Sequence, residues 1–160
     1  MQYSDHREVN SADLEIICRF PQDETELFFM YPKSVFPLTI EQLKTAIDSR
    51  YDSTVILSNN AVVGFANFHE VINDQYCSIG NVIINPAFRG KGFGTGLIKI
   101  MENIAVKKYK VKEIHISCFN QNVTGLLLYS KLGYTPFEIE KRLDKKLQPV
   151  ALIKMKKAIL

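Results

Sequence analysis

From Arg89 to Gly96 the chain reads Arg-Gly-Lys-Gly-Phe-Gly-Thr-Gly, with four alternating glycines, two cations and one hydroxyl. Those residue types suit an anion. Backbone N–H groups at a helix start lack partners and carry part of the macrodipole's positive charge, and residues without side chains let a phosphate approach them. Arg89 and Lys91 add formal charge, and Thr95 a hydroxyl. The bland alternative is a glycine-rich turn that serves only close packing of helix on sheet. Two familiar phosphate motifs fail on spacing. No glycine is followed by Lys and then Ser or Thr in the P-loop register, and a G-x-G-x-x-G started at Gly90 or Gly92 ends on Thr95 or Leu97.

The elements around this turn follow from apolar periodicity. A short strand near His6 to Val9 precedes a helix start at Asn10, Ser11 and Asp13, whose stripe Leu14, Ile17 and Cys18 runs up to Pro21. Residues 21 to 38, with three prolines among aromatics, read as an irregular or briefly helical connection. Thr39 and Gln42 have the form of a capping box ahead of Ile40, Leu43 and Ile47. Thr54 to Leu57 and Ala61 to His69 form a hairpin across Ser58, Asn59 and Asn60, and Tyr76 to Ile84 adds a strand. The glycine turn then opens a long helix with Phe93, Leu97, Ile100, Met101 and Ile104 spaced three and four apart. Glu113 to Cys118 is a strand and Asn122 to Leu132 a helix that Gly133 stops. Tyr134 to Arg142 and Val150 to Met155 are an antiparallel pair. The expectation is a mixed α/β sheet of about seven strands with about four helices, in one domain over residues 1–160.

Composition excludes several classes. The net charge of +3 hides a division: residues 1 to 88 hold 12 acidic and 5 basic side chains, net −7, whereas residues 89 to 160 hold 5 and 15, net +10. A uniformly basic nucleic-acid binder is therefore not expected. The lysine-rich segment Lys107, Lys108, Lys110 and Lys112 has only Tyr109 among it and reads as a solvated helix end. No run approaches the ~18 apolar residues of a membrane span, and the start MQYSDHREVN is too polar for a signal peptide, so no membrane partner and a cytoplasmic location are expected. Cys18, Cys77 and Cys118 are odd in number and far apart, which suits reduced structural thiols and no metal.

Arg89-x-x-Gly92-x-Gly94 resembles the pyrophosphate motif R/Q-x-x-G-x-G/A of the GCN5-related N-acetyltransferases (GNAT). A second stretch begins 33 residues beyond Arg89, where Asn122-Val-Thr-Gly-Leu-Leu-Leu-Tyr129-Ser-Lys-Leu-Gly-Tyr134 is similar to that family's N-x-x-A-x-x-L-Y-x-K-x-G-F. The departures are Gly125 for alanine and Tyr134 for phenylalanine. The resemblance implies the GNAT acyl-CoA N-acyltransferase fold, its mostly antiparallel sheet splayed between two central parallel strands. It also implies an enzyme that uses acetyl-CoA to acetylate a primary amine directly, and it is compatible with a homodimer.

Carried onto this sequence, the backbone of Val82, Ile83 and Ile84 would pair with the pantetheine arm. The N–H groups of Gly90, Lys91, Gly92, Phe93, Gly94 and Thr95 would hold the pyrophosphate beside Arg89. Asn122 would touch the pantetheine, and Tyr129 would be the acid near the departing sulfur; the alternative for Tyr129 is a ring that only packs. A lysine-like amine costs about 4.6 kcal/mol to hold neutral at pH 7, so a base or water relay helps. Where better-known members carry glutamate, this chain has Gly80, Asn81 and Ser117. His115, Ser117, His69, Glu70 and a water relay stay open as the base. Glu24 and Glu26 could draw a cationic acceptor or simply line a solvated loop, and the acidic half suggests a wall for a cationic amine. A nonenzymatic acyl-CoA-binding or regulatory module of the same fold is the alternative function.

Overall fold

The structure is a computed structural model that describes residues 5–159. Seven strands form one sheet: β1 (Asp5–Glu8), β2 (Tyr51–Ser58), β3 (Ala61–Ile72), β4 (Tyr76–Ile84), β5 (Glu113–Phe119), β6 (Thr135–Leu143) and β7 (Pro149–Ala158), in the order β1-β2-β3-β4-β5-β7-β6. Every neighbouring pair is antiparallel except β4 with β5. The hairpin turn is Asn59-Asn60, both with positive φ (49° and 67°), the geometry a two-residue turn needs to match strand twist.

Five α-helices cover the sheet: α1 (Leu14–Cys18), α2 (Glu24–Met30), α3 (Ile40–Asp48), α4 (Phe93–Tyr109) and α5 (Val123–Lys131). The helix beyond the expected four is α2, in the proline- and aromatic-rich connection, where the Asp23 side chain accepts from the Glu26 N–H at 2.8 Å. Pro21 and Pro32 flank α2 and leave its interior intact. At α3 the capping box is only half made. Thr39 accepts from the Gln42 N–H, but the Gln42 amide turns back to Val35 and Pro37. The reciprocal box forms instead at Asn10 and Asp13, where Asp13 accepts from the Asn10 N–H and receives a two-pronged Arg7 contact at 2.7 and 2.9 Å.

Alternation along the strands sorts the core into two layers. Val55, Leu57, Val62 and Phe65 face Leu14, Ile17, Leu27 and Leu43 on the side of α1, α2 and α3. Ile56, Val63, Ala66 and Phe68 face Leu97, Ile98 and Met101 of α4, in a layer that also takes in Tyr129 of α5. Phe28 of α2 stacks on Phe119 of β5 at 4.4 Å and with Val150 forms a third cluster. Among the described residues no helix is long and apolar enough to cross a membrane, and no group of three or more His, Cys, Asp or Glu could hold a metal ion.

Candidate active site

The parallel pair that centres the sheet is short. β4 and β5 pair only from Tyr76↔Glu113 to Ile79↔Ile116; beyond that Gly80 to Ile84 pair with β3 alone and Ser117 to Phe119 with β7 alone. The two strands fork, leaving facing backbone edges without strand partners. A bulge in β4 contributes, because Phe65↔Ile83 and Asn67↔Gly80 leave one β3 residue opposite two of β4, and Asn81 in the bulge has φ +52°. The bulge is pinned by buried amides: Asn67 donates to Asn81 at 2.9 Å, and Asn81 donates to the Met30 carbonyl at 2.9 Å.

A cavity of about 780 Å³ fills the fork, with Val82, Asn122 and Tyr129 in its wall. Tyr129 is buried to 6% exposure and its ring meets Tyr134 edge-on at 6.3 Å. Among the described residues no fully buried side-chain polar atom lacks a partner and the Tyr129 hydroxyl bonds none of them, so that hydroxyl opens to the cavity. Burial, and then Cys118 nearby, push its pKa well above the ordinary tyrosine value, so it is a protonated phenol at neutral pH. Of the leucines before it, Leu126 and Leu128 pack on the core, whereas Leu127 is exposed.

Asn122 caps α5 by accepting from the Gly125 N–H at 3.0 Å. A methyl on Gly125 would lie 2.7 Å from Asn122 Nδ2 and 3.0 Å from Cys118 Sγ, which is why glycine stands where the resembled motif has alanine. Tyr134, the other departure, has its hydroxyl satisfied by Glu102 at 2.7 Å, a carboxylate also held by Lys157. Gly125→Ala is expected to displace the Asn122 cap, worth about 1 kcal/mol, and so to raise the acetyl-CoA KM about fivefold with kcat little changed. Steady-state kinetics at saturating amine checks this.

The glycine turn lies beyond the cavity wall, at the start of α4. Gly90 and Gly92 have φ of +75° and +90°, and a Cβ on either would touch nothing within 4 Å, so the need there is the left-handed backbone and open space. Gly92 is the N-cap; the first helical bond runs from the Gly96 N–H to the Gly92 carbonyl, and no side chain caps the end. The N–H groups of Phe93, Gly94 and Thr95 therefore face outward with no acidic residue in the first turn. That donor set fits a pyrophosphate, and the unpaired fork edges at Val82, Ile83 and Ile84 fit the amides of a pantetheine arm.

Arg89, expected to add formal charge at this turn, is engaged by protein groups. Its guanidinium donates to Glu26 at 2.8 Å and its Nε to the Ile84 carbonyl at 3.0 Å, so it ties the turn to α2. Lys91 stays exposed, its ammonium 5.5 Å from the Phe88 ring centre. The same pairing removes Glu26 as a free anion for an acceptor. Cys118 lines the cavity, but burial pushes its thiol up to about 12, so it offers no thiolate at neutral pH; Cys18 and Cys77 are raised to about 11 and about 12.

Of the candidate bases, His115 is engaged. Its Nε2 meets Glu113 at 2.8 Å and its ring stacks on Tyr76 at 4.0 Å. Glu70 accepts from the Tyr76 hydroxyl at 2.5 Å, and Ser117 lines the cavity as an exposed hydroxyl. His69 lines the cavity next to Gly80, and no side chain of the described residues bonds its ring. Partial desolvation, then Arg50 with Lys33 and Lys154, hold its pKa below the usual histidine value against the opposing pull of Glu70. Sequence reasoning missed Arg50 and Asn67. The available signal was Gly80, a glycine inside an apolar strand, which marks a close approach.

A forked α/β sheet with an uncapped glycine-rich helix start beside the fork defines an acyl-CoA N-acyltransferase fold. The profile of the Acetyltransferase (GNAT) family matches residues 15–134, and the chain belongs to that family. It is an acetyl-CoA-dependent N-acetyltransferase. A relative, the [ribosomal protein bS18]-alanine N-acetyltransferase of Haemophilus influenzae, is 27% identical over 106 residues, 66% of this chain and 69% of that protein. Among solved structures, the ribosomal-protein-S18-alanine N-acetyltransferase of Escherichia coli has the same fold with TM-score 0.75 at 18% identity, covering 98% of this chain and 94% of that one. The spermidine N-acetyltransferase of Vibrio cholerae, solved with CoA and spermine, gives TM-score 0.76 at 16% identity, covering 97% and 95%.

Proposed function

We propose that residues 1–160 work as one cytoplasmic N-acetyltransferase domain that passes acetyl directly to a primary amine held in the β4–β5 fork. The observation that carries this is Tyr129, a buried phenol whose hydroxyl opens into the fork and stays protonated at neutral pH. Bound acetyl-CoA supplies the activated acetyl group and departs as the thiol. Gly90, Lys91, Gly92, Phe93, Gly94 and Thr95 hold its pyrophosphate on the α4 N-terminus, and Val82, Ile83 and Ile84 pair with its amides. Arg89 positions that turn through its ion pair with Glu26 and its bond to the Ile84 carbonyl. Asn122 borders the arm, and Tyr129 gives its proton to the departing sulfur. The raised thiol of Cys118 argues against an acyl-cysteine route.

His69 accepts the proton that the acceptor amine loses, directly or through water. Its lowered pKa keeps the imidazole neutral at pH 7, the form able to accept. Both His69 and the amine must then be unprotonated, so log kcat/KM is expected to rise with a slope of about 2 below the His69 pKa and about 1 above it. The sign follows from the shift: the break falls below the ordinary histidine value, because partial desolvation and neighbouring cations favour the neutral ring. In His69→Gln the slope stays at about 1 throughout; an unchanged break would remove His69 from this role.

Thiol release from acetyl-CoA across a broad panel of primary amines tests the function as a whole. Acceptor-dependent release supports it. Tight coenzyme binding with no release for any amine would instead favour a binding or regulatory module.

A further inference from the structure

The cavity wall that would receive the acceptor is cationic. Arg50, between α3 and β2, is half-buried in that wall and lies against β4 so closely that a Cβ on Gly80 would stand 2.4 Å from its Nη1. The glycine thus makes room for a guanidinium in the stretch of β4 where a glutamate base was sought. One Arg50 donor reaches Asn67 Oδ1 at 3.3 Å, and Asn67 is itself fixed by Asn81 and Ser53. An arginine has five N–H donors and remains charged at any working pH.

Among the described residues no carboxylate pairs with Arg50. The cavity's acids are otherwise engaged: Glu70 takes the Tyr76 hydroxyl, and Glu138 takes Lys154 at 3.1 Å. Two further cations of the wall are matched, Lys154 by Glu138 and Glu140 and Arg142 by Glu140 at 2.8 Å. Exposed Lys33 stands in the same wall and, like Arg50, bears on His69. The Tyr76 hydroxyl leaves the charge of Glu70 in place, but Arg50 and Lys33 together outweigh that single carboxylate, so the balance of this wall is positive.

We propose that the acceptor carries a carboxylate close to its reactive amine, an amino acid in chemical class, and that Arg50 binds that carboxylate through its planar fork. Arg–carboxylate pairs are commonly two-pronged, which fixes the orientation of the partner as well as its charge. The arrangement also helps the chemistry, since cations close to the acceptor's ammonium favour its neutral, nucleophilic form. A polyamine meets the reverse situation, with like charges in a partly desolvated wall.

This assignment rests on the acetyl-transfer reading, and its test separates the two. Free amino acids, each beside its own carboxamide, and spermidine are assayed with acetyl-CoA on the wild type, Arg50→Gln, Arg50→Lys and Gly80→Ala. The wild type is expected to prefer the acid over the amide by about tenfold to a hundredfold in kcat/KM, the effect of charge-assisted hydrogen bonds. Arg50→Gln brings the ratio to about 1, whereas Arg50→Lys and Gly80→Ala, which keep a displaced cation, give intermediate ratios. A merely structural Arg50 would lower both rates and leave their ratio alone. A wild-type preference for amide or spermidine, or an Arg50→Gln ratio equal to wild type, overturns the proposal. If no amine turns over, calorimetric titration of the coenzyme-loaded wild type with the same pairs decides. Acid-selective binding upholds Arg50 and removes the acetyl-transfer reading, and binding without selectivity, or none, removes the Arg50 assignment.

Discussion

Tyr129→Phe is expected to lower kcat about ten- to a hundredfold while the Kd for acetyl-CoA changes less than about twofold. General acid catalysis is commonly worth two or more orders of magnitude, but a thiol of pKa about 8.5 leaves with little help, which places this case at the low end. The substitution removes one hydroxyl that bonds no other described residue and keeps the ring against Tyr134, so packing loss is small. A more acidic leaving thiol should narrow the gap between wild type and variant, because it needs the proton less. Stopped-flow thiol release, with coenzyme affinity measured by calorimetry, gives both quantities. An unchanged kcat would reduce Tyr129 to a packing residue.

The second large effect lies at the other end of the coenzyme. Gly92→Glu should weaken coenzyme A binding at least a hundredfold, because two penalties act together. A non-glycine residue at φ +90° is strained by about 1–3 kcal/mol. Its carboxylate would also sit at the N-cap of α4, where it competes with the pyrophosphate for the Phe93, Gly94 and Thr95 N–H groups and repels the phosphates' charge. Since a Cβ there meets no neighbour within 4 Å, the fold should survive, and circular dichroism would show native helix content beside the lost affinity. A Kd within fivefold of wild type would move the pyrophosphate away from this turn.

Much of the fold was readable because its strands alternate cleanly and its helices begin on recognisable caps. The hairpin turn, β4, α4 and α5 fall where periodicity put them, and β1 lies at Asp5–Glu8, one residue earlier than expected. The readings that shifted were local choices settled by tertiary partners. The Gln42 Oε1 accepts the Val35 N–H in place of the Thr39 N–H while its Nε2 donates to the Val35 and Pro37 carbonyls, and the Asp23 cap decides for the helical alternative in the proline-rich connection. Within the site, the glycine turn and the Asn122 to Tyr134 stretch are contiguous in sequence and so could be read directly. The proposed acceptor wall takes Arg50, His69 and Gly80, with buried Asn67 behind Arg50, and these meet only through the register Asn67↔Gly80 and the end of α3.

Charge shows the same limit. The acidic first half and basic second half meet through Arg89 with Glu26 and Lys108 with Asp52, and the cavity draws charged lining from both: Lys33, Arg50 and Glu70 from the first, Glu138, Arg142 and Lys154 from the second. Two cations of the acidic half, Lys33 and Arg50, instead line the acceptor side of the cavity.

Direct transfer to an amine is most sharply tested by acid-quenching the protein after mixing with acetyl-labelled acetyl-CoA, first without and then with an acceptor amine, and following the label. Label is expected to stay on the coenzyme until amine is present, then to appear on the amine nitrogen and at no time on the protein. Label bound to the chain before amine arrives, or an amine that never acquires it, would contradict the account.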